Sequence, residues 1–496
     1  MEPIHDLQAG LADVWALNQP GSTAEHVVVV LPSLNISPSM LRNYGPRLVA
    51  LEHRYLTEVL MLARVPGCEL VFVCSSHPGR AVLDYYAGLV AGHLQESVRS
   101  RVHVVAVEDL SARPVAVKLL ENPDALARIT DIIGGRPALI EPWNVTLTEV
   151  AVAERLGLPL NGTPPHLWPT AFKSSGRRIF RESGVPVPLG HEDVRSVEDV
   201  ALAIAAIVAA NPETRGVVVK HDNSGSGEGN LVVGIRDLDG RPVGSDDLRH
   251  ILDQSIPEWY RLDLEAGGVV EELVAGDAFT SPSAQVDVAP DGSVEVAATH
   301  EQVLAGDDRQ VYAGCTFPAN PEYTGVLAHH ARAVGARLAD LGARGRLSVD
   351  FVAVRQDAWD VLAIEVNLRK GGTTHPLTAL RHLVPGRYDA DQGRWLADAG
   401  GTRCYSSTDN LRDPRWQDLR PAAAIDAVAA SLAAFDRGAG SGAVLHGLSG
   451  LGIDARCGVT AIGTSLEEAD ALLEEVQGAI QAAATRARTT VVGGAT

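Results

Sequence analysis

The chain has 496 residues, 46% of them hydrophobic and 21% charged, with a formal net charge of −20. That length holds roughly three domains of about 150 residues, and the charge argues against a sequence-independent grip on nucleic acid or an anionic membrane, both of which need a basic face. Of the 42 basic residues only four are lysines, Lys118, Lys173, Lys220 and Lys370, so each raises the question of whether a compact ammonium is needed where it stands.

The first residues lack the basic start and apolar run of a signal peptide, and no stretch reaches the roughly 18 apolar residues of a membrane span. A cytoplasmic protein is expected. Its five scattered cysteines form no C-x-x-C pair, so reduced thiols and no zinc site are expected. From residue 25 to about 165, β-branched runs at 26–31, 69–74, 101–107 and 137–143 alternate with amphipathic stretches near 46–64, 80–98 and 122–134. Strict alternation predicts an α/β domain with a parallel, doubly wound sheet. No G-x-G-x-x-G follows its first strand, so no dinucleotide site is expected there. The Pro-rich stretch 162–169 reads as a linker or domain entry.

The next part, 166–398, is predicted as α+β, with helices at 171–183, 196–210 and 324–342. Strands are expected at 216–220, 230–235, 268–274, 283–288, 294–299, 346–354 and 360–367, following one another in hairpins. The remainder, 399–496, is expected to form a small α+β extension, with helices at 421–435 and 465–486 and strands at 442–447 and 456–462. The long last helix opens on a capping-box pattern at Thr464.

Four motifs carry chemistry. The strand at 216–220 ends in Lys220 and runs into HDNSGSGEGN, whose Gly225, Gly227 and Gly229 let backbone N–H groups approach an anion. Because the loop leads into a strand and lacks G-K-[ST], it is no Walker A loop. Lys173 stands in the first turn of a helix, where it opposes the helix dipole unless a phosphate lies nearby. In 346–354 and 361–369, a hairpin with residues 354 and 361 opposite would set Asp350 across from Glu365, with Asn367 and Arg369 on the same face. Paired carboxylates destabilise a sheet unless a cation lies between them, and this all-oxygen set suits Mg²⁺. Finally, VVEELVAGD at 269–277 can form a hinge whose backbone reads an adenine edge, or equally a strand end with surface acids.

In this order the motifs resemble the ATP-grasp ligases, and with the long N-terminal domain, EVNLRKGGTTHP and the C-terminal extension they look most like the pheganomycin-type peptide ligases. The resemblance implies a pre-ATP-grasp domain over 1–165 and two ATP-grasp subdomains over about 166–268 and 269–398. Lys173 and Lys220 match phosphate-binding lysines, and Ser224, Gly225, Ser226, Gly227 and Gly229 the mobile phosphate loop. Glu271, Glu272 and Leu273 match the adenine hinge, with Asp277 a substitute for a missing ribose-binding acid. Asp350, Glu365 and Asn367 match the metal ligands, and Arg369 the arginine that holds the reacting carboxylate.

The implied reaction joins an amino-acid-like acid to the amine of an amino acid or peptide, using ATP and Mg²⁺, with Mn²⁺ as an alternative, and releasing ADP and phosphate from an acyl phosphate. A phosphotransferase and a non-catalytic ATP-binding protein are the competing expectations. No nucleic-acid or membrane partner is expected, and a homodimer is the base-rate expectation. His375 has the best claim among the histidines because it follows GGTT beside the metal strand. Gln285, Gln302 and Tyr312 are plausible substrate contacts.

Overall fold

The computed structural model describes residues 8–224, 229–236, 245–305 and 311–493. In the N-terminal part, β1 (His26–Leu31), β2 (Cys68–Cys74), β3 (Val102–Ala106) and β4 (Ala138–Pro142) form a parallel sheet in the order β3-β2-β1-β4. Every residue of β1 is buried, as expected when helices cover both faces of a parallel sheet.

A second, antiparallel sheet has the order β5-β8-β6-β7, from Gly190–His191, Gly268–Glu272, Gly216–His221 and Asn230–Gly234. The third sheet is larger. Its path runs β14-β13-β10-β11-β12-β17-β16-β15, with β9, β18 and β19 attached at its sides. Here β9 is Ala278–Thr280, β10 Pro282–Val288, β11 Val294–Ala305, β12 Val311–Phe317, β13 Gly345–Arg355 and β14 Trp359–Asn367. Next come β15 (Gly386–Asp389), β16 (Arg394–Ala397), β17 (Thr402–Arg412), β18 (Gly442–His446) and β19 (Arg456–Gly463). The C-terminal strands are thus hydrogen-bonded into the sheet that carries the acidic motif. One apolar core also joins Leu56 and Phe72 to Leu377, Tyr405, Val459 and Ile480, so the beginning and end of the chain pack as one body.

Several predicted elements change at their edges. The expected helix 46–64 is α-helical only over Leu48–His53 and tightens to 3-10 over Arg54–Ala63, starting at Arg54, whose guanidinium is tied to Asp409. The helix expected over 80–98 stops at Leu89 and resumes at Gln95, with Gly92 in the break. The helix expected over 421–435 ends at Ala429. The stretch 162–169 is no loose linker: a Cβ on Gly162 would come within 2.6 Å of the Val145 side chain, and Thr163 Oγ1 donates to Arg344 O at 3.0 Å. Among the described residues, no helix is long and apolar enough to cross a membrane.

Candidate active site

The hairpin β13–β14 is one residue out of the expected register at its open turn, where Val361 pairs with Ala353 and not with residue 354. A bulge between Asp350 and Phe351 then absorbs the extra Ile364 and sets Asp350 opposite Glu365, with Asn367 opposite Ser348. A bulge redirects side chains locally, and here it produces the expected pairing of acids by a route that alternation alone does not reveal. Burial, reinforced by Glu365, pushes the Asp350 carboxyl up to about 6. Its oxygens accept from Asn367 Nδ2 at 2.9 Å and Gln302 Nε2 at 3.2 Å. Glu365 Oε1 meets Lys173 Nζ at 2.9 Å. Two facing carboxylates, of which only Glu365 meets a lysine, present hard oxygen donors that fit a divalent cation of the Mg²⁺ type.

Lys173 is the first residue of the helix Lys173–Glu182 and is buried. Asp222 Oδ1 fixes this helix start by accepting from Ser174 N at 2.8 Å and Ser174 Oγ at 2.7 Å. Lys173 Nζ also donates to Ser224 O at 2.8 Å, so one ammonium spans from the acidic strand to the base of the glycine loop. Gly225, Ser226 and Gly227 lie outside the described residues. Gly229 closes the loop at φ +83°, and a Cβ there would sit 3.0 Å from His221 Nδ1, which explains a glycine at this position.

Lys220 does not extend freely towards a ligand. Its ammonium pairs with Glu271, which Arg177 also grips, and Arg177 reaches Glu192 at 2.6 Å. Burial raises the Glu271 carboxyl, but Lys220 and Arg177 outweigh it and hold the group below its ordinary range. The hinge expectation therefore needs correction at the level of atoms. The Glu271 side chain is enclosed, and Glu272 uses its carboxylate on Leu189 N (2.9 Å) and Asn211 Nδ2 (3.1 Å). The N–H groups of Glu272 and Leu273 are taken by Leu189 O and Gly216 O, both at 2.8 Å. Since β8 ends at Glu272 rather than at 274, an adenine edge would be read one residue later, at Val274, beside the half-exposed Leu273. Asp277 is exposed, and its N–H donates to Arg355 O at 2.9 Å.

On the other side of the acids, the Arg369 guanidinium lies 4.9 Å from the centre of the Trp143 ring and donates to Lys370 O at 3.0 Å. Lys370 is buried with Glu141 at 2.7 Å and Glu58 at 3.8 Å. The loop after Arg369 is held by Gln285 Nε2, which donates to Thr373 O at 2.7 Å, and by the Tyr312 ring, which a Cβ on Gly372 would meet at 2.5 Å. Gln285, Gln302 and Tyr312 all border the acidic strand or this loop. His375 points elsewhere. It and His446 approach one oxygen of Asp409 at 3.1 and 3.2 Å, while Arg54 pairs with the other. Burial pushes His375 down to about 3, which removes it as a proton carrier near neutrality. A divalent ion among these three groups would face a buried arginine with a single carboxylate to offset both, an unfavourable balance.

No protein-family model matches the chain. It is 30% identical over 470 residues, 92% of its own length and 94% of the relative's, to the L-propargylglycine–L-glutamate ligase of Streptantibioticus cattleyicolor. The chain belongs to this family of ATP-grasp ligases. The ligase also aligns at 25% identity over 433 residues with IQ motif-containing protein H of Danio rerio, covering 74% of the chain and 39% of that protein. Its fold is similar to that of a biotin carboxylase–beta-gamma-ATP complex from Campylobacter jejuni, with a TM-score of 0.55, 14% identity and coverage of 92% and 94%. Rhizobium etli pyruvate carboxylase gives a TM-score of 0.53 at 16% identity over 91% of the ligase and 37% of that chain. At such identities the likeness speaks for the ATP-grasp fold alone.

Glu58, Glu141, Trp143, Arg177, Gln302's bond to Asp350 and Asp409 were not assigned from the ligase's sequence. For Glu141 and Trp143 a signal did exist, since they stand at the carboxyl end of β4 and just beyond it, where doubly wound sheets collect ligands. Arg177, Glu58 and Asp409 carry no such signal.

Proposed function

We propose that the ligase joins the carboxyl group of one amino acid to the amino group of a second amino acid or small peptide, in specialised metabolism, through an acyl phosphate. The observation that carries this reading is the facing pair Asp350 and Glu365, with Lys173 on Glu365 and, two residues beyond the strand, Arg369, which forms no ion pair among the described residues.

In this reading Lys173 and the backbone from Ser224 to Gly229 hold the triphosphate, Lys220 adds its charge from within its pair with Glu271, and Val274 with Leu273 holds the adenine. Asp350, Glu365 and Asn367 would hold Mg²⁺, with Mn²⁺ as the alternative, and the ion would offset charge on the transferring phosphoryl group. Arg369 grips the acid in bidentate fashion. A carboxylate oxygen attacks the γ-phosphorus as the bond to ADP breaks. The amine then attacks the carbonyl carbon, phosphate leaves, and the nitrogen loses a proton to solvent.

Amino-acid pairs, beginning with L-glutamate and L-propargylglycine, should be incubated with Mg-ATP, with ADP release followed and the product identified by mass spectrometry. AMP and pyrophosphate would exclude the mechanism. A stable phosphorylated acid formed without need of an amine would point to phosphotransfer instead.

A further inference from the structure

Beside the acidic strand lies a recess lined by Trp143, Asn144, Asn161, Arg346, Arg369 and Lys370, among others. Two of its cations are already matched. Arg346 donates to both oxygens of Asp287 at 2.7 and 2.6 Å, and Lys370 meets Glu141 at 2.7 Å. Arg369 is matched by no acid among the described residues. Trp143, which also lines the recess, is 7% exposed, and its indole N–H is buried with no hydrogen-bond partner among the described residues. Buried donors without acceptors are rare in folded proteins because they forgo their bond to water without replacing it.

The backbone of Trp143 is tied on both sides. Its N–H donates to Leu31 O at 3.1 Å, and its carbonyl accepts from Lys370 N at 3.0 Å. These bonds tie the Trp143 backbone to the segment just beyond β14 that carries Arg369, whose guanidinium lies over the indole ring. An arginine with no ion-pair partner among the described residues and one unused N–H, both acting only as donors, fit an anionic acceptor with more than one oxygen.

Resting on the ligase reading above, we propose that the Trp143 indole N–H is a second donor to the substrate carboxylate gripped by Arg369. The N-terminal domain then supplies part of the acid-binding site, and Trp143 acts as a specificity-determining residue for a monoanionic carboxylate of an amino acid. A neutral amide in the same position would leave the charge of Arg369 unmatched.

The test uses Trp143→Phe, which keeps a ring face for Arg369 and removes only the N–H. With L-glutamate, L-propargylglycine and Mg-ATP, KM for the acid should rise roughly 10- to 100-fold, the worth of one hydrogen bond to a charged group. KM for ATP and kcat should stay within about twofold, as for a contact made equally in ground and transition states. An unchanged KM for the acid, or an equal rise for all substrates, overturns the proposal. A second measurement needs no turnover and no stable variant beyond one used for assignment. In wild-type protein saturated with Mg-ADP, the indole ¹H–¹⁵N resonance absent from Trp143→Phe should shift saturably on titration with sodium L-glutamate, and an unmoved resonance overturns the proposal. Failure of the ligase reading is distinct, because it appears as wild-type protein that releases no ADP with any acid and amine, whatever the resonance does.

Discussion

Asp409 receives a guanidinium and two imidazoles, whereas Asp350 faces a second carboxylate. Both are enclosed by the same sheet, on β17 and β13. Burial pushes both carboxyl groups up. At Asp409 that push is overcome by Arg54 and then His375, and the group ends well below its ordinary range, while at Asp350 it is reinforced by Glu365 and ends at about 6. The difference separates two uses of a buried acid. A carboxylate enclosed by a guanidinium and imidazoles of its own chain joins parts of that chain, here the Arg54 turn, the helix Thr374–Leu383 and β18. One left beside a like charge is held ready for a cation from outside.

The contrast can be broken most decisively at Glu365. The prediction is that Glu365→Gln lowers Mg²⁺-dependent turnover at least about 1,000-fold, since several kcal/mol of charge stabilisation go with the metal, while the melting temperature of the metal-free protein holds or rises. A cooperative loss of fold in a thermal melt would assign Glu365 the joining role instead. Asp409→Asn should behave in the opposite way, losing about 3 kcal/mol or more in denaturant titration because it leaves Arg54 buried and unmatched. The kcat of the folded fraction should change little. Wild-type stability with abolished turnover would erase the distinction.

Lys173 sharpens the comparison because it is the cation that touches the acidic pair. For Lys173→Met we expect KM for ATP to rise roughly 10- to 100-fold, as a charged hydrogen-bond donor to phosphate is lost. An unchanged ATP affinity by calorimetry would confine Lys173 to a structural part. The smallest effect concerns pH. Because the folded-state pKa of Asp350 lies above the ordinary carboxyl value, its contribution to stability in metal-free protein is full below about 4 and is lost as pH rises through about 6. Asp409, shifted down, contributes above the ordinary value and loses that contribution as pH falls. Urea melts of wild type and Asp350→Asn should therefore diverge between pH 4 and 6, with wild type losing ground as pH rises. Mg²⁺ affinity should fall about tenfold per pH unit below 6. Parallel stability curves would refute the shift.

Much of the site is legible in sequence because it is built from short local runs. Glu365 and Asn367 sit within β14, where a period of two puts alternate residues on one face, with Arg369 two residues beyond it, and Lys220 stands next to last in its strand. The lysine count also spoke, though about burial more than catalysis. All four lysines are buried, and Lys118, outside the proposed site, is held by Ser75 Oγ and Asp109 O, both at 2.8 Å. What could not be read is partnership across distance. Nothing near Lys220 announces Glu271 as its partner, or Arg177 as the second cation on that carboxylate, and nothing near His375 announces Asp409.

Alternation and the residue types of each motif by themselves determined the parallel N-terminal sheet and the acidic hairpin, because these depend on neighbours within a few residues, while the ATP-grasp character followed from the resemblance of the motifs in their order. Only the tertiary structure decided the bulge that brings Asp350 to Glu365, the merging of the C-terminal strands into the same sheet, the enclosure of Glu271 and the unmatched Trp143 N–H beside Arg369. Each of these depends on how charges and donors are matched between segments up to hundreds of residues apart, and that matching exists only once the sheets have packed.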